Sequence, residues 1–193
     1  MALAELAYTT EQIRRRVHDL AAELREDLMG ERPVLVSVLK GSVMFLADLV
    51  RALEIDADID FMSISAYSGA GGGSGVVRIV KDLEEPLEDR HVVVVEDIVD
   101  TGLTLSYLMR TLATRGPRTL KVCTLVDKAV RRIAHLEVDL VGFESEDFLI
   151  GYGLDFMGRY RNLPYLMAVN DVAALAADPD ALEWLFDEPE MSR

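Results

Sequence analysis

The stretch VVVVEDIVDTGLTL, residues 92–105, decides how the chain is read. Four consecutive valines suit a strand buried on both faces, the pattern of a parallel sheet covered by helices. Three acids follow, Glu96, Asp97 and Asp100, and then Thr101, Gly102, Leu103 and Thr104. The pattern predicts a strand over 92–95, an acidic loop, and a helix near 104–115 with Leu105, Leu108, Met109 and Leu112 on one face. Gly116 and Pro117 stop that helix. Asp and Thr also serve in ordinary capping turns. Three carboxylates at one strand end, however, repel one another unless a metal ion, ligand hydroxyls or a held proton relieves them. The turn beside them offers backbone N–H groups and two hydroxyls at a helix start, which suits a phosphate. Acids for a diol or a metal beside an anion cradle together fit a sugar phosphate.

The same alternation runs outward from this stretch. VLVSVL (34–39), IDFMSI (59–64), VVRIVKDL (76–83), KVCTLV (121–126), VDLVGF (138–143) and FLIGY (148–152) read as strands. Thr9 with Gln12 forms a capping-box pattern, and Ile13, Val17, Leu20, Ala21, Leu24 and Leu28 recur at helical spacing until Gly30. KGSVMFLADLVRAL (40–53) reads as a turn running into a helix, and SAYSGAGGGSG (65–75) as a mobile glycine-rich loop. Strands alternating with helices define an α/β fold with a mainly parallel sheet covered on both faces. Ligands in such sheets sit at the carboxyl ends of the strands, which puts the acids at the mouth of a site.

Composition narrows the functional classes. A chain of 193 residues, half of them hydrophobic, suits one domain with a sizeable core. No apolar run is long enough to cross a bilayer, and the N-terminal MALAELAYTTEQIRRR lacks the pattern of a signal peptide. The single cysteine, Cys123, gives neither an internal disulfide nor a metal spacing, so a cytoplasmic setting is expected. A formal charge of −14 argues against a nucleic-acid surface but not against a small phosphorylated ligand. Residues 171–192 hold seven acids and no basic side chain; with the apolar LEWLF (182–186), they read as a solvated appendage with one docked helix. There is no GxxxxGK[ST] phosphate loop, and the glycines of 69–75 miss the dinucleotide-binding spacing. None of His18, His91 and His135 has an evident nucleophile partner.

With two acids, two apolar residues and then Asp-Thr-Gly-x-Thr after a hydrophobic strand, VVVVEDIVDTGLTL resembles the phosphoribosyl diphosphate (PRPP) signature of the type I phosphoribosyltransferases. LKGS (39–42), LVDK (125–128), VGFESEDFLIGYGLD (141–155) and RYRNLPY (159–165) resemble the hypoxanthine-guanine branch. The resemblance covers roughly residues 10–168. It implies a twisted, mainly parallel sheet with helices on both faces as the core, about 30–145. A small hood would come from the N-terminal segment and about 146–170, with the acidic tail 171–193 outside the match.

The roles implied by the resemblance fall on particular residues. Glu96 and Asp97 would meet the ribose hydroxyls, with Mg²⁺ held mainly by PRPP and associated with Glu96, Asp97 and Asp155. Asp100, Thr101, Gly102, Leu103 and Thr104 would cradle the 5′-phosphate, and Asp100 would be the general base near purine N7. Lys40 and Gly41 would bind the diphosphate after a cis Leu39–Lys40 peptide, and Arg161 would reach it from the far side. Lys128 would donate to the 6-oxo group, Phe148 would stack on the base, and Leu149 and Asp155 would complete the purine site. Ser65, Tyr67 and Ser68 would form a lid, with Ala66 standing where the family usually has serine. The implied activity is purine salvage: hypoxanthine or guanine plus PRPP gives the nucleotide and diphosphate, usually in a homodimer or homotetramer. A xanthine or pyrimidine phosphoribosyltransferase and a PRPP-binding regulatory protein stay open as alternatives; Lys40 and Arg161, taken alone, would pass for surface residues.

Overall fold

The computed structural model describes residues 2–67 and 76–186, with the backbone alone for residues 66, 67, 76 and 77. In chain order the first elements are β1 (Ala4–Tyr8), α1 (Thr10–Asp27), β2 (Val34–Leu39), α2 (Val43–Leu53), β3 (Asp58–Tyr67) and β4 (Val76–Lys81). There follow β5 (His91–Val99), α3 (Leu103–Ala113), β6 (Thr119–Asp127), β7 (Leu140–Glu144), β8 (Phe148–Ile150), β9 (Leu166–Val169) and α4 (Val172–Ala177).

Six strands form the main sheet in the order β4-β3-β2-β5-β6-β7, all neighbours parallel except the β3–β4 pair. The valine run lies at its centre and explains its two-sided burial. Val93 and Val95 pack with Leu20, Leu24, Phe45 and Leu49 of α1 and α2, whereas Val92 and Val94 pack with Leu105, Leu108 and Leu112 of α3. Helices therefore cover both faces, and central parallel strands with both faces covered need an unbroken apolar run. α1 begins as its sequence predicts: Thr9 accepts from the Gln12 backbone N–H, and the Gln12 side chain accepts from the Thr9 N–H.

A second, antiparallel sheet has the order β1-β9-β8. Neither β1 nor β9 is evident in the apolar patterning. Leu166–Val169 is four apolar residues long, too short for periodicity to identify. The tail docks through the apolar patch 182–186, as expected, and Leu175 of α4 joins it in a core. Leu175, Leu182 and Leu185 are buried with Ile150, Phe156, Tyr160, Leu163 and Tyr165. Arg159 pairs with Asp180 and Glu183, and the Tyr165 hydroxyl donates to the Leu185 carbonyl. Residues 187–193 lie outside the described residues.

The main correction concerns the acids. The strand expected over 92–95 runs on to Val99, so Glu96 and Asp97 lie within β5 rather than in a loop. Pairing with β6 carries it on, Glu96 opposite Thr124 and Ile98 opposite Val126. Backbone ladder bonds override the weak strand preference of acids, a preference that mostly reflects packing.

Candidate active site

β5 delivers its carboxylates to two different places. Glu96 lines a cavity of about 260 Å³ with Val38, Ile64, Asp100, Thr101, Gly102, Thr104 and Leu105. Its side chain accepts no hydrogen bond among the described residues, and burial, with Asp97 beside it, pushes its carboxyl well above the usual range. Below it, the turn 100–102 enters α3. Gly102 takes φ +75° at the N-cap, with no side-chain cap, and the Thr101 and Gly102 N–H groups meet no backbone acceptor among the described residues. The cavity thus presents a partly buried carboxyl at one end and free N–H donors of a helix start at the other.

Asp97 lies against the loop after β2. A Cβ built on Gly41 would fall 1.5 Å from Asp97 Oδ2, and one built on Gly153 would fall 1.9 Å from the Gly41 carbonyl oxygen. Only glycine allows these approaches. Arg161 donates to the Gly153 carbonyl at 2.6 Å and pairs with Asp155 Oδ1 at 2.6 Å. Burial raises the Asp97 carboxyl, against the pull of the Ile98 N–H and the Arg161 guanidinium. The Leu39–Lys40 peptide bond is cis, as the resemblance implies, and Lys40 is exposed beside Gly41.

A second cavity, of about 480 Å³, is lined by Asp97, Ile98, Asp100, Lys128, Arg131, Phe148, Leu149, Leu154 and Asp155. Lys128 is 4% exposed at the end of β6, and its ammonium has no hydrogen bond or ion pair among the described residues. Burial lowers its pKa, opposed by the Asp100 charge and reinforced by Arg131. A desolvated donor in a cavity that Ile98, Phe148, Leu149 and Leu154 also line calls for an acceptor on a ligand. Phe148 is partly exposed at the rim, edge-on to Phe156 at 6.0 Å. Asp100 and Ile98 line both cavities, so the two chambers meet at the Asp100 carboxylate.

Most of the residues singled out from sequence come together here, with exceptions. Leu103 is exposed and, with Lys40, Gly41, Ser65 and Arg161, lines neither cavity, although Gly41 abuts Asp97 and Arg161 pairs with Asp155. The Tyr67 side chain and Ser68 lie outside the described residues. Asp155 is held in place by protein partners, Oδ1 pairing with Arg161 and Oδ2 accepting from the Gly158 N–H at 2.6 Å, and each oxygen keeps a second lone pair. Among the described residues no three His, Cys, Asp or Glu side chains gather to hold a metal ion, so Glu96, Asp97 and Asp155 form no such cage. Sequence reading missed Arg131, whose Nε lies 3.2 Å from Asp100 Oδ1. Its signal was the Arg-Arg pair just after Lys128, but no spacing rule points either arginine at the acid.

A model of the phosphoribosyl transferase domain family matches residues 7–157. The chain belongs to that family. It is 46% identical over 165 residues to the hypoxanthine-guanine phosphoribosyltransferase of Mycobacterium avium, covering 82% of this chain and 81% of the relative. It is 41% identical over 165 residues to the Bacillus subtilis enzyme of the same name, covering 85% and 92%. A crystal structure of hypoxanthine phosphoribosyltransferase from Staphylococcus aureus superposes with a TM-score of 0.82 at 40% identity, covering 86% of this chain and 90% of that one.

Proposed function

We propose that this chain is a hypoxanthine-guanine phosphoribosyltransferase of purine salvage, working in the cytoplasm as a homodimer or homotetramer. The observation that carries the reading is the meeting of two unlike cavities at Asp100: one with an anion cradle and a partly buried carboxyl, the other with a desolvated ammonium and an aromatic ring. PRPP fits the first. Its 5′-phosphate would take the N–H donors of Thr101 and Gly102, and its ribose hydroxyls would meet Glu96 and Asp97. The diphosphate would extend past Gly41 toward Lys40 and Arg161. A 6-oxopurine fits the second, with O6 accepting from Lys128 and the ring against Phe148. The antiparallel sheet with the segment 151–163 would serve as the hood over the strand ends.

Asp100, where the cavities meet, would accept the N7 proton while its charge stabilises the cation-like ribosyl carbon as diphosphate leaves. Asp97 and Asp155, which line the second cavity, and Glu96, which lines the first, would face a Mg²⁺ ion held chiefly by the diphosphate's own oxygens; a carboxylate oxygen that accepts one hydrogen bond keeps a lone pair for a cation. When bound, that ion would supply neutralising charge for the leaving group. The guanine 2-amino group would be accepted by Asp155 together with the backbone near Leu149.

The test is a turnover assay with PRPP, Mg²⁺ and five free bases. Hypoxanthine and guanine should be converted and adenine barely, because adenine presents an amino donor to the Lys128 ammonium. Exclusive use of xanthine or a pyrimidine would overturn the reading.

A further inference from the structure

We propose that Arg131 is a positioning residue for Asp100, holding one carboxylate oxygen so that the other faces the base cavity. The inference rests on the reading of Asp100 as the general base. The segment that carries Arg131 is stitched to the strand exit on both sides of Asp100. On one side the Lys128 N–H donates to the Val99 carbonyl at 2.9 Å; on the other, the Ile133 and Ala134 N–H groups donate to the Thr101 carbonyl at 3.0 and 3.1 Å. Between these anchors the chain makes a single 3₁₀ turn, Ala129–Arg131, closed by the Arg131 N–H on the Lys128 carbonyl at 2.9 Å. Beneath it, Arg132 pairs with Asp127 and packs its Cδ against Gly102, fixing the turn to the phosphate loop. Arg131 is thereby presented to Asp100 from a frame with little freedom.

The Asp100 carboxylate is divided by this frame. Oδ1 is buried and accepts no aligned hydrogen bond, and the neighbour that compensates it is Arg131 Nε at 3.2 Å, an ion pair. Oδ2 has no protein partner among the described residues and is not buried, while Asp100 itself lines both cavities. A base must stand within hydrogen-bond reach of the proton it takes, and a carboxylate turned about its bond loses that reach. Both partners are substantially exposed, at 54% and 42%, so the pair adds little to stability and its loss leaves the fold intact.

The experiment measures kcat and KM for hypoxanthine and PRPP, with Mg²⁺, in wild type, Arg131→Met, Arg131→Lys, Asp100→Asn and the Asp100→Asn/Arg131→Met double variant. Arg131→Met should lower kcat roughly 10- to 100-fold, the range of a misplaced group, with both KM values within about twofold. Arg131→Lys should recover most of kcat. In the Asp100→Asn background, Arg131→Met should cost nothing further, since the two act as one unit. A wild-type kcat in Arg131→Met, a loss confined to KM, or an equal loss in both backgrounds overturns the positioning role while leaving Asp100 as base. Near-normal kcat in Asp100→Asn alone instead overturns the reading of Asp100, and this proposal with it.

Discussion

Gly41 approaches Asp97 so closely that a Cβ on the glycine would overlap the carboxylate, 1.5 Å from Oδ2. The loop after β2 and the strand β5 thus share one van der Waals surface, and Gly153 packs on the other side of Gly41. Gly41→Ala forces one of these walls to move. The expected outcome is a loss of about 1–3 kcal/mol in unfolding free energy, as for overpacking. kcat/KM for PRPP should fall at least about tenfold through misplacement of the loop. Wild-type values of both, by denaturant unfolding and steady-state assay, would show that the contact is relieved at no cost.

Lys128 tests the base site. Its side chain is buried and its ammonium has no partner among the described residues, so an oxopurine should gain a charged hydrogen bond there. Lys128→Ala should lose about 1.5–3 kcal/mol in kcat/KM for hypoxanthine and guanine, the magnitude for such a bond. The already poor use of adenine should not worsen. An unchanged hypoxanthine rate would remove Lys128 from the site.

Much of this was legible in the sequence, for physical reasons. The valine run fixed the central strand because only a two-sided core needs four apolar residues in succession, and the capping box of Thr9 and Gln12 located the start of α1 to the residue. What stayed hidden depended on partners distant in the chain. Glu96 and Asp97 look like loop residues until Thr124 and Val126 are known to lie alongside. Asp155 looks like a free carboxylate until Arg161 and Gly158 fold back on it. Arg131 carries no pattern of its own, because its meaning comes from the turn that hangs it over Asp100. Leu182 and Leu185 sit in an acidic stretch whose charge suggests solvent, although their side chains do not.

Those leucines make a stability prediction. Leu182 is 1% exposed within the smaller core, so Leu182→Ala should cost about 2–5 kcal/mol, as for a truncated core leucine. Denaturant unfolding followed by fluorescence measures it. A change within about 0.5 kcal/mol, the range for surface positions, would mean that the segment 171–186 does not dock.

Asp60 gives a pH dependence. Burial pushes its carboxyl up, but the N–H groups of Glu85, Phe61 and Glu84, with Lys81 3.6 Å away, outweigh burial and lower it below its ordinary 3.8. A carboxylate with a depressed native pKa contributes stability that is present above its unfolded value and lost as pH falls through the native one. Stability should therefore drop as pH falls below about 4, and the Asp60→Asn variant should show a shallower drop. Parallel pH profiles for the two proteins would count against the Asp60 network.

The most direct test of the central claim is kcat for IMP formation from hypoxanthine and PRPP, with Mg²⁺, in Asp100→Asn against wild type. Asparagine keeps the shape at the meeting point of the two cavities but cannot take a proton. The predicted result is a fall in kcat of roughly 10²–10⁴-fold, the contribution of a general base, with PRPP affinity largely kept. A variant that retains near-wild-type kcat would contradict the assignment of that carboxylate as the base of the reaction.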